Sequence, residues 1–157
     1  MSAASTPTPL SENIRSVRES LLTLHKSLID LVRDERQTLL GRTIAPGELL
    51  QLLTSDPAFD WLHPFSQLIV AIDQMLERES PPEEQDGKAV RVESERLLAT
   101  GGQHFKDALF RSASVTHEQA RLEAALGSLP ASEASEHDAL LQRRAVWIAP
   151  RRRPNSN

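Results

Sequence analysis

Between Ser11 and Gly41 the chain contains no glycine and no proline, and its apolar residues fall at Ile14, Val17, Leu21, Leu24, Leu28, Leu31 and Val32. That near-heptad spacing places one apolar stripe along one face of a helix. Ser11 is a plausible N-cap, with Glu12 in the first turn to suit the helix dipole. A helix of about 30 residues, roughly 45 Å long, follows. An element of that length buries its stripe only against other long elements, so the expected fold is an all-α, up-down helical bundle of three or four main helices.

The rest of the chain fits this frame. Gly41 to Gly47 predicts a turn, and Glu48 to Thr54 a short apolar helix. Ser55-Asp56-Pro57 is a helix start with proline at the first helical position. Pro64 resets or kinks that helix within two turns, after which Phe65, Leu68, Ile72 and Met75 continue one face to about Arg78. Ser80-Pro81-Pro82-Glu83 has capping-box spacing and predicts a helix from Pro81 to about Thr100, weakened by Gly87. Gly101-Gly102 is a stop, and Gln103 to Ser114 a further helix. Thr116 and Gln119 form a second box before Glu118 to Leu126, which Gly127 and Pro130 end. A weak last helix spans Glu133 to Trp147. No stretch alternates with period two, so short helices rather than strands close the ends.

At 157 residues the chain is expected to be one domain. Residues 1–10 are expected to be a disordered lead-in, 11–148 the helical bundle and 149–157 a disordered basic tail. Cysteine is absent, which removes disulfides, thiolate metal sites and a cysteine nucleophile together. No apolar run approaches the roughly 20 residues a membrane span needs, and the first residues do not resemble a secretory leader. A cytoplasmic location without membrane insertion is the expectation.

Charge is unevenly spread. Every charge after Asp138 is an arginine: Arg143, Arg144, Arg151, Arg152 and Arg153. Without these five, 13 basic residues face 22 acids, so residues 1–138 carry −9. An acidic body repels phosphate, and only a basic tail starting at Arg143 is suited to nucleic acid or an anionic surface. The alternative for that segment is a solubilising end whose Trp147 caps the bundle, and nucleic acid is not an expected partner.

Two segments carry a resemblance. Leu24-His25-Lys26-Ser27-Leu28-Ile29-Asp30 leads to Asp34-Glu35-Arg36, and Ser55-Asp56-Pro57-Ala58-Phe59-Asp60-Trp61-Leu62-His63-Pro64-Phe65 continues through Ser66-Gln67-Leu68-Ile69-Val70-Ala71-Ile72-Asp73. Together they resemble a family of small uncharacterised bacterial helical proteins that combine these two patterns. The resemblance covers about residues 14–76 and echoes weakly from Phe105 to Leu126. It implies a bacterial helical bundle and no activity.

Motifs for catalysis are missing. None of the five histidines (His25, His63, His104, His117, His137) follows a glutamate by three residues, as a di-metal carboxylate bundle requires. Nucleophile elbows and phosphate loops are also absent. Neither a metal nor a cofactor is expected. Two features remain. Projected at about 100° per residue, Glu35 falls inside the stripe of the first helix, between Val32 and Leu39. Either the stripe frays and Glu35 reaches water, or it is buried with an arginine or histidine, or it is a general acid or base. Phe59, Trp61 and Phe65 supply half of the six aromatics within seven residues. Such a cluster is core, or it anchors a partner. The function expected is non-catalytic: binding of another protein or of a second copy. A ligand or enzymatic pocket near Glu35 and contact through the arginine-rich tail are the alternatives.

Overall fold

Thr8 begins the first helix. In the computed structural model, which describes residues 8–147, its side chain accepts a hydrogen bond of 3.1 Å from the Ser11 amide. Pro9 occupies the first turn, where its missing N–H costs nothing. Helix α1 therefore runs Pro9–Leu40, so Pro9 and Leu10 belong to the helix rather than to a disordered lead-in, and Ser11 is not the cap. At the other end Gly41 closes α1 with φ 67°, the left-handed C-cap that glycine adopts without strain. The helix is 32 residues, about 48 Å, long.

Helix α2 (Pro46–Ser55) follows, then a 3-10 helix (Pro57–Leu62) and α3 (His63–Leu76). Pro57 and Pro64 each sit in the first turn of their helix, so the expected reset at Pro64 is a change from 3-10 to α geometry. Helix α4 (Glu84–Ala99) starts three residues later than expected. A proline disfavours helical geometry in the residue before it, here Pro81, and Glu83, extended at φ −91° and ψ 164°, is the cap in place of Ser80. Its capping box pairs Glu83 with Asp86. Helix α5 (Gly102–Arg111) ends at Ser112, whose hydroxyl accepts from the Val115 amide at 3.2 Å and starts α6 (Ala113–Leu126). Thr116 is therefore inside α6, its hydroxyl turned back to the Leu109 carbonyl at 2.7 Å. A 3-10 turn (Ala134–Glu136) leads into α7 (His137–Trp147).

The described residues thus form seven α-helices and two 3-10 helices with no strand, an all-α fold. None of these helices is long and apolar enough to cross a membrane. Helix α1 is the spine. Asn13 reaches the Ser128 carbonyl and Ser27 meets Ser114, so α6 runs antiparallel to α1. Arg18 pairs with Asp73 and Arg36 with Asp56, which sets α3 and its preceding 3-10 helix antiparallel along another side. One core joins Leu21, Leu24 and Leu28 of α1 to Phe65, Leu68 and Ile72 of α3, Val90 of α4, Phe105 of α5 and Leu122 of α6. Burying each of these side chains contributes about 1.5–3 kcal/mol.

Helix α7 is fastened to α4. Asp86 accepts from Arg143 Nε at 2.7 Å, Trp147 Nε1 at 2.9 Å and the Glu83 amide at 2.8 Å. Burial pushes the Asp86 carboxyl up, and these hydrogen bonds more than reverse that, leaving it below the ordinary aspartate range. Arg144 faces Glu93 at 3.5 Å. Arg143 and Arg144 are consequently helical residues with acidic partners, not the start of a tail. Trp147 is buried, as a cap on the bundle requires. Arg151, Arg152 and Arg153 lie outside the described residues.

Candidate functional site

The buried stripe of α1 outruns its cover. Ile14 through Leu28 are fully enclosed and Val32 nearly so, yet Leu39, on the same face, is 83% exposed. The cause lies in α6, which begins at Ala113, beside Ser27. Beyond that level α1, the 3-10 helix and α5 enclose a groove of about 200 Å³, while Gln37 of α1 accepts from the amide of buried Ile44 in the following turn. Glu35 stands on the rim of the groove. Its Oε1 accepts from Arg111 Nη1 of α5 at 3.2 Å, with 45% of the glutamate side chain exposed and 62% of the arginine. Glu35 therefore reaches water at the end of the stripe and pairs with an arginine there. It is not a buried polar site.

Arg36 closes another edge. Its Nη2 donates to Asp56 Oδ2 at 3.2 Å, and its guanidinium lies 4.9 Å from the centre of the Phe59 ring. Asp56 is held in turn by its other oxygen, which accepts from the Ala58 amide at 2.9 Å and caps the 3-10 helix. Trp61 is half-buried and stacks on His104 of α5, ring centres 5.7 Å apart and planes 12° from parallel. Phe65 lies wholly within the core, tilted 48° against Phe105 with 5.5 Å between centres.

Glu35, Phe59 and Trp61, separate features of the sequence, line this one groove. Phe65 does not reach it. Phe65 is enclosed and Phe59, though it lines the groove, is only 6% exposed, so Trp61 is the most accessible of the three. The exposed aromatic is one the sequence did not single out. Phe110, on α5 beside Arg111, is 95% exposed. Its signal was its position out of phase with Phe105 and Ala108, the buried residues of the same helix.

Chemically the groove offers an apolar floor ringed by ion pairs, with no polar side chain aimed at a common reacting centre. No group of three or more histidines or acids among the described residues is placed to hold a metal ion. Two buried acids lie elsewhere. Glu118 of α6 has an enclosed oxygen without a hydrogen bond, and Asp86 forms the α4–α7 fastening. The Glu83-x-x-Asp86 spacing was the legible sign of the second. No protein-family model, no curated protein and no solved structure matches the chain.

Proposed function

We propose that the protein is a non-catalytic interaction domain, bacterial and cytoplasmic, that docks another protein or a second copy at the overhanging end of α1. The observation that carries this reading is Leu39, a stripe residue left 83% exposed where the bundle gives α1 no cover. Phe110 of α5 and Leu50 of α2 are exposed as well, though neither lines the groove. The apolar groove floor with ion pairs at its rim matches the general form of a protein interface, an apolar centre inside a polar border. An acid–base role for Glu35 has less support, because an exposed carboxylate paired with arginine lacks the burial that tunes a catalytic acid. The resemblance to small bacterial helical proteins agrees with a bundle and adds no activity.

The test compares the intact protein with a Leu39→Lys, Phe110→Lys double variant. Both positions face solvent, so the variant keeps its helical circular dichroism. Light scattering after size exclusion, over a range of concentrations, reads self-association. Purification of the tagged protein from its host, with mass spectrometry, reads other partners. Association or a retained partner that is lost in the double variant is the expected result. A monomer at every concentration, with the same retained proteins for both forms, overturns the proposal.

A further inference from the structure

On another side of the molecule a cleft of about 380 Å³ opens between α3, α4 and α7. Its apolar lining comes from Pro64 and Leu68 of α3, Leu97 of α4 and Leu141 of α7, of which Pro64 and Leu141 are accessible and Leu68 and Leu97 are buried. Its polar edge holds Glu93 and Arg96 of α4 and Arg144 of α7, with Thr100 beyond them. We propose that this cleft binds a small amphiphilic carboxylate, its anionic head bridging Arg96 and Arg144 and its apolar body lying over Pro64 and Leu141.

The charge arrangement favours an anion. Two guanidiniums face one carboxylate, so the edge carries a net positive charge within an acidic body. Neither arginine is saturated. Arg144 Nη1 stands 3.5 Å from Glu93 Oε2, well beyond the roughly 2.7–2.9 Å of a charge-assisted hydrogen bond. The Arg96 side chain makes no hydrogen bond or ion pair among the described residues, and reaches Glu93 only through its field. A guanidinium has five donors in a planar fork that matches a carboxylate, and both forks here have room for one. Exposed Pro64 and half-buried Leu141 give an apolar body a contact that a compact inorganic anion cannot use. The volume lies at the lower end of the roughly 300–1,000 Å³ usual for small-ligand sites.

Glu93 gives the site a pH response. Its side chain is only 13% exposed, and burial raises its carboxyl above the ordinary glutamate range, against the lowering fields of Arg144 and Arg96. No other acid lines the cleft: α3 contributes only Pro64 and Leu68, α7 only Leu141 and Arg144. Arg143, the adjacent cation, is turned away to Asp86 and Glu83. Protonation of Glu93 removes the one negative charge beside the bound head. Affinity for a carboxylate therefore rises as pH falls.

The test titrates the full chain with 4-phenylbutyrate, its neutral amide and inorganic phosphate, followed by backbone amide shifts. Saturable low-millimolar binding of the carboxylate is expected, the affinity that about a dozen heavy atoms supply, with the largest shifts at residues 93–100. Binding should tighten as pH falls from neutral toward the raised titration range of Glu93, and Glu93→Gln should tighten it at neutral pH and flatten that dependence. Arg96→Gln, a change at an exposed position, should weaken binding about fivefold or more without altering circular dichroism. Three results each overturn the proposal: no saturable binding at neutral or lower pH, an amide that binds as well as the acid, or affinity indifferent to Arg96→Gln. Phosphate binding as tight as 4-phenylbutyrate would equally overturn the assignment of an amphiphilic ligand.

Discussion

Replacing Asp86 by alanine removes three contacts at once, and their separate costs can be worked from the structure. The Glu83–Asp86 capping box loses the side chain that accepts from the Glu83 amide, a loss of about 1 kcal/mol. The indole N–H of Trp147, buried with the rest of that ring, is left without its acceptor, at about 1–3 kcal/mol. Arg143 is less affected. Its side chain is 31% exposed and it keeps Glu83 at 3.0 Å, so water and the remaining partner limit that loss to under about 1 kcal/mol. The expected destabilisation is about 3 kcal/mol, read as a lower urea midpoint by circular dichroism. Trp147→Phe, which removes the orphaned donor, should cost less in the Asp86→Ala background than alone, by about 1 kcal/mol. The pH dependence supplies an independent check. Asp86 titrates below its unfolded value, so its contribution is present above the ordinary aspartate range and is lost as pH falls through the folded value. Asp86→Asn should flatten that acid limb. A loss below about 1 kcal/mol for Asp86→Ala, with strictly additive pairing to Trp147→Phe, refutes the claim that α7 is fastened through this carboxylate.

Phe105→Ala should cost about 3–5 kcal/mol, because its ring is enclosed against Phe65, whereas half-buried Trp61→Ala should cost about 1–2 kcal/mol. Equal losses in urea denaturation would place the Trp61 ring in the core. Glu118→Met should leave stability unchanged or raise it by about 1 kcal/mol, since an enclosed carboxylate oxygen without a hydrogen bond gives way to an apolar side chain. A drop of more than about 1 kcal/mol in the same assay would mean that Arg121, 3.5 Å away, satisfies that carboxylate.

What was legible in the sequence was whatever one segment decides for itself. The stripe from Ile14 to Val32 specified α1, Gly41 its end, and Pro57 and Pro64 the starts of the 3-10 helix and α3, because each acts through its own backbone or its own face. Caps were less secure. Ser80 and Thr116 had the right side chains in the right spacing, but Pro82 disfavours helical geometry at Pro81, and Ser112 starts α6 before Thr116 is reached. The site residues depended on what lies opposite, which no local pattern contains. Glu35 falls within the stripe by angle, and whether that face is covered depends on where α6 begins. Arg143 and Arg144 resembled a tail because no acid follows Asp138; their partners Asp86 and Glu93 stand more than fifty residues earlier.

These contacts divide the molecule into a firmly held end and a yielding one. At the α4–α7 fastening, the Asp86 side chain is 11% exposed and shares its oxygens with a guanidinium, an indole and a backbone amide. Breaking such a cluster leaves buried groups unpaired, which is what makes it expensive to open. At the overhang, Glu35 and Arg111 meet in water, and an exposed pair of this kind contributes about 0–1 kcal/mol. A partner that displaces Glu35 from Arg111 gives up little there and gains the burial of Leu39. At about 1.5–3 kcal/mol for a fully covered leucine side chain, the gain exceeds the loss. The imbalance exists because α1 is longer than the helix packed beside it. Extending α6 by a turn, or replacing Leu39 with a charged residue, would remove it, and the case for docking at this end would go with it.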